Sequence, residues 1–274
     1  MKKFAIMGLT ALLIATPLAA CGTVTPNSGN TPSVAAPLPE IPEAEVPEVE
    51  MPALPEEPEP VPAKAEYIMV RTNGLNVRSG AGASYSSLGT VEKNVLLHFG
   101  GTEGGWYRTL YRGKTAYVSA QSSYTSLTDM EAGDERVEAV ISEGLKRLGV
   151  PYVYGAGRYH DGKGNKLKNF TTSEFDCSSL MQDIFYQGAG VLLDVTTRTQ
   201  VKQGVKVTKA NLQRGDLMFF TNASRKNNTG IERVGHVALY LGDNYILHTA
   251  SDYAKIEQIS STRWSYFIEG RRVL

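Results

Sequence analysis

Phe175-Asp176-Cys177-Ser178-Ser179-Leu180 is the stretch on which the fold turns. It sets a single thiol between a polar loop and a segment that the spacing of Leu180, Ile184 and Phe185 predicts to be a helix, with Gly188 as its stop. Cys177 then falls in the first turn, where unpaired backbone N–H groups favour thiolate over thiol. Such a position can take a cysteine from about 8.5 down to roughly 3.5 to 7.5, which predicts a nucleophile at neutral pH. A lone cysteine is otherwise a small buried hydrophobe. The rest of the chain has to decide between the two.

The chain has 274 residues with 28 basic and 28 acidic side chains, a length that fits one large domain or two small ones. Met1-Lys2-Lys3 is a short basic region, and Phe4 to Ala20 is an apolar run, short for a transmembrane span, that ends in small residues. Leu18-Ala19-Ala20-Cys21 resembles the lipobox of bacterial lipoprotein signal peptides. The resemblance implies a signal peptide over residues 1–20, lipidation of Cys21, and an extracytoplasmic protein held to a membrane by its lipid. The alternative is an ordinary secretory signal cut nearby. The chain has two cysteines. With Cys21 lipidated, Cys177 has no disulfide partner, and an unpaired cysteine in an exported protein points to a reactive thiol or an intermolecular bridge.

From Thr23 to Ala63 the composition shifts: ten of the thirteen prolines fall between Pro32 and Pro62, with eight glutamates and no lysine or arginine. Such a segment cannot bury a core. Residues 21–64 are therefore expected to be a stiff, disordered tether reaching roughly 3 Å per residue. Beyond it, residues 65–274 carry 25 basic against 20 acidic side chains. That suits an anionic cell wall and lacks the dense basic surface of a nucleic-acid binder.

Residues 65–127 read as short strands punctuated by glycine: Tyr67 to Arg71, Leu75 to Arg78, Leu88 to Val91, Val95 to Phe99, Trp106 to Tyr111 and Thr115 to Val118. This is the pattern of a small all-β barrel. Leu75-Asn76-Val77-Arg78-Ser79-Gly80, Leu88-Gly89-Thr90, Gly105-Trp106-Tyr107 and Gly113-Lys114-Thr115-Ala116-Tyr117-Val118 together resemble the bacterial SH3-like domain. That resemblance implies wall-peptide binding or the positioning of an attached hydrolase, with Trp106 and Tyr107 in its core as the alternative. A linker is expected near Thr128. An amphipathic helix follows over Asp134 to Leu148, with Val137, Val140, Ile141, Leu145 and Leu148 on one face and Gly149 and Pro151 ending it. Strands are expected at Asp216 to Thr221, His236 to Leu241, Tyr245 to Thr249 and Tyr266 to Val273. Helices first and sheet later make residues 128–274 an α+β domain.

Of four histidines, His98 and His160 lie in stretches that read as surface. His236 and His248 sit on consecutive strands. If Gly242-Asp243-Asn244 is a three-residue loop, Leu241 faces Tyr245, Ala238 faces His248, and His236 becomes a diagonal neighbour on the same face. A two-residue Asp243-Asn244 turn instead sends the histidines to opposite faces. The first register makes a relay of nucleophile, base and orienting group.

Gly149-Val150-Pro151-Tyr152-Val153-Tyr154-Gly155, Asp176-Cys177-Ser178-Ser179-Leu180, Gln213 to Phe220, Gly235 to Gly242 and Ile246-Leu247-His248-Thr249-Ala250 occur in the order of the NlpC/p60 family of papain-like cell-wall cysteine peptidases, which residues 136–274 resemble. The resemblance implies a papain-like fold of N-terminal helices packed on an antiparallel sheet, and a monomer acting on peptidoglycan stem peptides. It makes Cys177 the nucleophile, His236 the base and His248 the orienting residue. It places Tyr152 and Ser178 at the substrate or oxyanion position and Asp176 on the free amine of a substrate L-alanine, with capping of the helix that carries Cys177 as the alternative role for Asp176. The implied reaction is D,L-endopeptidase cleavage between γ-D-glutamate and a diamino acid. An N-acylmuramoyl-L-alanine amidase, an acyltransferase and a non-catalytic wall-binding lipoprotein remain open alternatives. No cofactor is implied, and neither H-E-x-x-H nor paired C-x-x-C spacing occurs to hold a metal. Ser179 and Ala156 replace glycines common in the family. The stretch Arg158 to Glu174 is longer than usual, and a lid over the cleft is one expectation for it.

Overall fold

The computed structural model describes residues 63–274, all within one compact unit spanning Pro58–Leu274. The signal peptide, Cys21 and all but the end of the proline-rich tether lie outside the described residues. Among the described residues, no helix is long and apolar enough to cross a membrane.

The barrel segment contributes eight strands: β1 (Lys64–Val70), β2 (Leu75–Arg78), β3 (Ser87–Val91), β4 (Val95–His98), β5 (Thr102–Glu103), β6 (Trp106–Tyr111), β7 (Lys114–Ser119) and β8 (Thr125–Glu131). Alternating apolar residues aim Ile68, Val77, Val91, Leu97 and Val118 into one core. Tyr107 packs at its edge, while half-buried Trp106 lines a surface groove with Arg78 and Tyr124. The expected linker near Thr128 is instead strand. β8 pairs with β1 continuously from Lys64↔Glu131 to Val70↔Thr125, so a boundary at 127/128 would cut through a hydrogen-bonded ladder.

The second segment supplies α1 (Glu135–Lys146), α2 (Cys177–Ala189), α3 (Thr197–Gln200), β9 (Val205–Val207), β10 (Leu217–Phe220), β11 (His236–Gly242), β12 (Tyr245–Thr249), β13 (Ala254–Gln258), α4 (Ser261–Ser265) and β14 (Phe267–Arg272). β13, unforeseen in the sequence, pairs with β4 through Ile256↔Leu96 and Glu257↔Val95. The barrel is therefore not a separate bead. Its strands β8, β1 and β4 continue one nine-stranded sheet in the order β8-β1-β4-β13-β12-β11-β10-β14-β9. Tyr67, Leu96 and Met130 from the barrel segment share a core with Ile141, Leu180 and Leu247 from the second.

Strand parity divides that sheet into two faces. Phe219, Val237, Leu239 and Leu247 pack with Val140, Leu180 and Ile184 of α1 and α2. Met218, Phe220, Ala238 and Ile246 form a second cluster, against which Trp264 and Phe267 pack. Helix α1 starts where the Asp134 side chain accepts from the Val137 amide at 2.9 Å. Helix α2 runs through Gly188 and ends at Gly190, whose φ of 67° suits a left-handed cap. Gly188 serves packing: a Cβ there would lie 2.6 Å from the Val140 backbone of α1.

Candidate active site

Cys177 is the first residue of α2, and Asp176 caps the helix by a complete capping box. Asp176 Oδ1 accepts from the Ser179 amide at 2.8 Å, and Ser179 Oγ accepts from the Asp176 amide at 2.9 Å. This replaces the family glycine at 179 with a residue that fixes the helix start. The Asp176 carboxylate also takes Ser178 Oγ at 3.0 Å, the Gly155 amide at 3.2 Å and Arg158 at 2.8 Å. Four donors, one of them the cationic Arg158, occupy it. Its geometry is that of a cap and buried ion-pair partner, which leaves no free carboxylate face for the substrate amine expected of it.

The hairpin between β11 and β12 resolves the parity question in an unexpected way. Asp243 and Asn244 both have positive φ, 47° and 65°, and form the two-residue turn that would have separated the histidines. A bulge between Tyr240 and Gly242 adds one residue to β11 and restores the register Leu239↔Leu247 and Tyr240↔Ile246. Continued, that register sets His248 opposite Ala238. His236 Nε2 accordingly lies 3.0 Å from His248 Nδ1.

The chain of contacts continues onto β13. His248 Nε2 lies 2.9 Å from Glu257 Oε1, and Glu257 also meets Arg263 at 3.0 Å and Lys255 at 3.3 Å. His236, His248 and Glu257 thus run across three adjacent strands on one face. Glu257 went unnoticed in the sequence because Ala254-Lys255-Ile256-Glu257-Gln258 offers only two apolar residues in alternation, a weak strand signal. The alternate spacing of Lys255 and Glu257, which puts the two on one strand face, was the available clue.

Burial sets the protonation pattern. It pushes the Cys177 thiol up to about 11, reinforced by the Asp176 carboxylate and opposed by the Val237 and Ser178 backbone amides. The expectation of a thiolate at neutral pH is thereby overturned: the helix N-terminus is outweighed by desolvation and an adjacent negative charge. Burial, with repulsion from His248 and Arg263, holds His236 well below its usual range. Burial likewise lowers His248, against the bond from Glu257. For Glu257 burial disfavours the charge, but the His248 bond and the charges of Lys255 and Arg263 win and hold it far below the usual carboxylate range. The resting site is a neutral thiol beside two neutral imidazoles and one carboxylate.

Cys177 and His236 line a cleft of about 370 Å³ together with Tyr152, Phe220 and Arg263. Tyr152 and Cys177 also line a second arm of about 430 Å³, with Ser178, Arg158, Arg198 and Arg225. Of the site residues singled out in the sequence, Tyr152, Asp176, Cys177, Ser178 and His236 line this two-armed cleft, and His248 lies behind His236, fully buried. His160, expected at the surface, is fully buried as well, with Nδ1 accepting from the Gly162 amide at 2.9 Å. The long stretch after Arg158 is anchored by Tyr159, which packs edge-on against Phe170 and beside Tyr186. Of residues 158–174, Arg158 alone lines the cleft.

Residues 149–273 match the NlpC/P60 family, and residues 73–126 match the bacterial SH3 domain. The second segment is an NlpC/P60 domain. The chain is 30% identical over 195 residues to a gamma-DL-glutamyl hydrolase of Bacillus subtilis, covering 68% of this chain and 42% of that protein. It is 31% identical over 139 residues to the peptidoglycan endopeptidase RipA of Mycolicibacterium smegmatis, covering 50% of this chain and 26% of that one. It spans well under two thirds of the length of these relatives. Among solved structures, a Mycobacterium tuberculosis protein described as a non-catalytic NlpC/p60 domain aligns at 26% identity and a TM-score of 0.40, covering 52% of this chain and 100% of that one. In this NlpC/P60 domain the thiol and both histidines are present in one connected site.

Proposed function

We propose that the chain is a peptidoglycan stem-peptide hydrolase that cleaves the γ-D-glutamyl–diamino acid bond through Cys177, His236 and His248, with Glu257 as a fourth member of the relay. The observation that carries this is the unbroken chain from the cleft-lining imidazole of His236 through His248 to Glu257. Glu257 accepts from His248 Nε2–H, so His248 Nδ1 is the acceptor for His236 Nε2–H. That leaves Nδ1 of His236 as the free basic nitrogen, a tautomer assigned from the hydrogen-bond pattern.

During acylation the Cys177 thiol gives its proton to His236 as sulfur attacks the amide carbonyl. The imidazolium is stabilised through His248 by the Glu257 charge. The Cys177 backbone N–H, at a helix start without an intrahelical acceptor, is aimed to stabilise the oxyanion, with Tyr152 at the cleft wall. His236 then protonates the leaving amine, and a thioester remains. Water, deprotonated by His236, releases the acid and regenerates the thiol. A neutral pair suits this cycle, since the proton moves only when the acyl carbonyl is in place.

Export by the signal at residues 1–20 and lipidation of Cys21 complete the proposal, with the protein working at the outer side of a membrane on wall peptide. Relatives named endopeptidase and γ-glutamyl hydrolase support the bond assignment. Incubating the protein with L-Ala-γ-D-Glu-diamino acid peptides, both free and carrying an N-terminal muramoyl group, and reading products by mass spectrometry tests it. Release of the diamino acid is expected, and none with Cys177→Ser. Cleavage at the muramoyl–alanine bond instead would make it an amidase.

A further inference from the structure

The arm of the cleft beyond Cys177 is built from donors. Arg198 enters from α3 and Arg225 from the segment between β10 and β11, so two independent chain segments converge on it. Asp176 is the one carboxylate among its lining residues, and it is already engaged by Arg158 and three other donors. Arg198 and Arg225 both meet Glu232, whose carboxylate lies 3.6 and 3.5 Å away and whose backbone carbonyl accepts from Arg225 Nη1 at 3.1 Å. Glu232 does not line the arm, and its side chain is 60% exposed. One solvent-facing carboxylate and one carbonyl leave two guanidiniums with unused N–H groups and one positive charge in excess. Thr197 and Asn222 add neutral donors along the same wall, and Ser224 Oγ, which lines it too, donates to Asn222 Oδ1 at 2.8 Å.

We propose, on the footing of the hydrolase reading above, that this arm is a subsite for a substrate carboxylate, held by Arg198 and Arg225 beside the scissile bond. Two carboxylates of a γ-glutamyl–diamino acid peptide come within reach of a group anchored at Cys177. One is the α-carboxylate of the γ-linked glutamate, a few bonds from the attacked carbonyl. The other belongs to the diamino acid on the leaving side. Both offer planar acceptors matched to a guanidinium fork. A free N-terminal ammonium meets the opposite field: Asp176 is neutralised by Arg158 and the remaining fixed charges are positive. Peptides with an acylated, glycan-linked N-terminus therefore fit this arm better than free tripeptides.

The test uses three peptides with the wild-type chain and with Arg198→Gln, Arg225→Gln and the double variant: the full acid, its γ-linked isoglutamine counterpart, and the counterpart amidated on the diamino acid. Wild type is expected to cut one amide about 10- to 100-fold less efficiently than the acid, the loss appearing in KM. The double variant is expected to slow on the acid and keep its rate on that amide, erasing the difference. The amide that is discriminated against names the carboxylate. Equal cleavage of acid and both amides by wild type, or an equal slowing of all three in the variants, overturns the subsite. Amidating the substrate perturbs no fold, so this arm holds even if a variant is unstable. If wild type cuts no peptide, the hydrolase reading fails, and calorimetric binding of the same three peptides to Cys177→Ser tests the subsite alone. Preference for the acid retains it, and equal binding rejects it.

Discussion

His248 Nε2 and Glu257 Oε1 stand 2.9 Å apart, joining the last imidazole of the relay to a strand that is hydrogen-bonded to the barrel segment. Glu257 is the group that decides which nitrogen of His248 carries hydrogen, and through it which nitrogen of His236 is basic. Glu257→Gln removes the charge while keeping the shape, and an amide can present either a donor or an acceptor to His248. Loss of a directly orienting carboxylate costs about 10⁴ in kcat in the serine-protease triad. One imidazole further from the nucleophile, we expect a loss of about 10- to 100-fold in kcat with KM nearly unchanged, and a shifted pH profile at unchanged melting temperature. A fall in melting temperature with an unaltered profile would mark Glu257 as structural only.

Cys177, with its thiol pushed up to about 11, is expected to alkylate slowly at pH 7 in the substrate-free protein. Its iodoacetamide rate should climb with pH well beyond the 8.5 of an ordinary thiol. Rapid modification at neutral pH, with a plateau below 8, would show a preformed thiolate and contradict this.

Both histidines are held low in the fold. Between their folded values and the unfolded value of about 6.5, the unfolded chain binds more protons than the native one, so stability rises with pH in that window. The contribution is complete above about pH 6.5 and is lost as pH falls toward the depressed values. Denaturant midpoints should therefore drop from pH 7.5 to pH 5, and His248→Gln should flatten that dependence. The base stays unprotonated over the same range, so the acid limb of kcat/KM should lie below 6.5.

The seam between β4 and β13 buries Leu96 and Ile256 completely. A chain beginning at residue 132 would expose that edge and strip Tyr67, Leu96 and Met130 from the shared core. An unpaired apolar edge strand invites aggregation. We expect the isolated NlpC/P60 segment to be insoluble or to bind an apolar dye, and a soluble, fully active fragment would show that the seam is dispensable.

Gly188→Ala places a Cβ 2.6 Å from the Val140 backbone, where no side chain can swing aside. Forcing α1 and α2 apart is expected to cost about 1 to 3 kcal/mol, although alanine is the better helix former. Chemical denaturation of the variant reads this directly, and a gain in stability would refute the close-packing role.

Much of the site was legible in the sequence because its signals are local. A capping aspartate, a helical apolar spacing after Cys177 and two strands each carrying a histidine need only neighbouring residues to be read. The motif order of residues 149–273 was equally local. What the sequence could not fix depended on contacts between distant segments. Histidine parity hinged on a bulge at Leu241, which costs one ladder position and shows no distinct composition. Glu257 became part of the relay only because β12 and β13 pair in one register. The thiol's ionisation was misjudged because a helix N-terminus is visible in sequence, whereas burial and the Asp176 charge beside it are properties of the packed protein. The barrel's fusion to the sheet through β4 and β13 likewise rests on backbone pairing, for which neither strand carries a sequence mark.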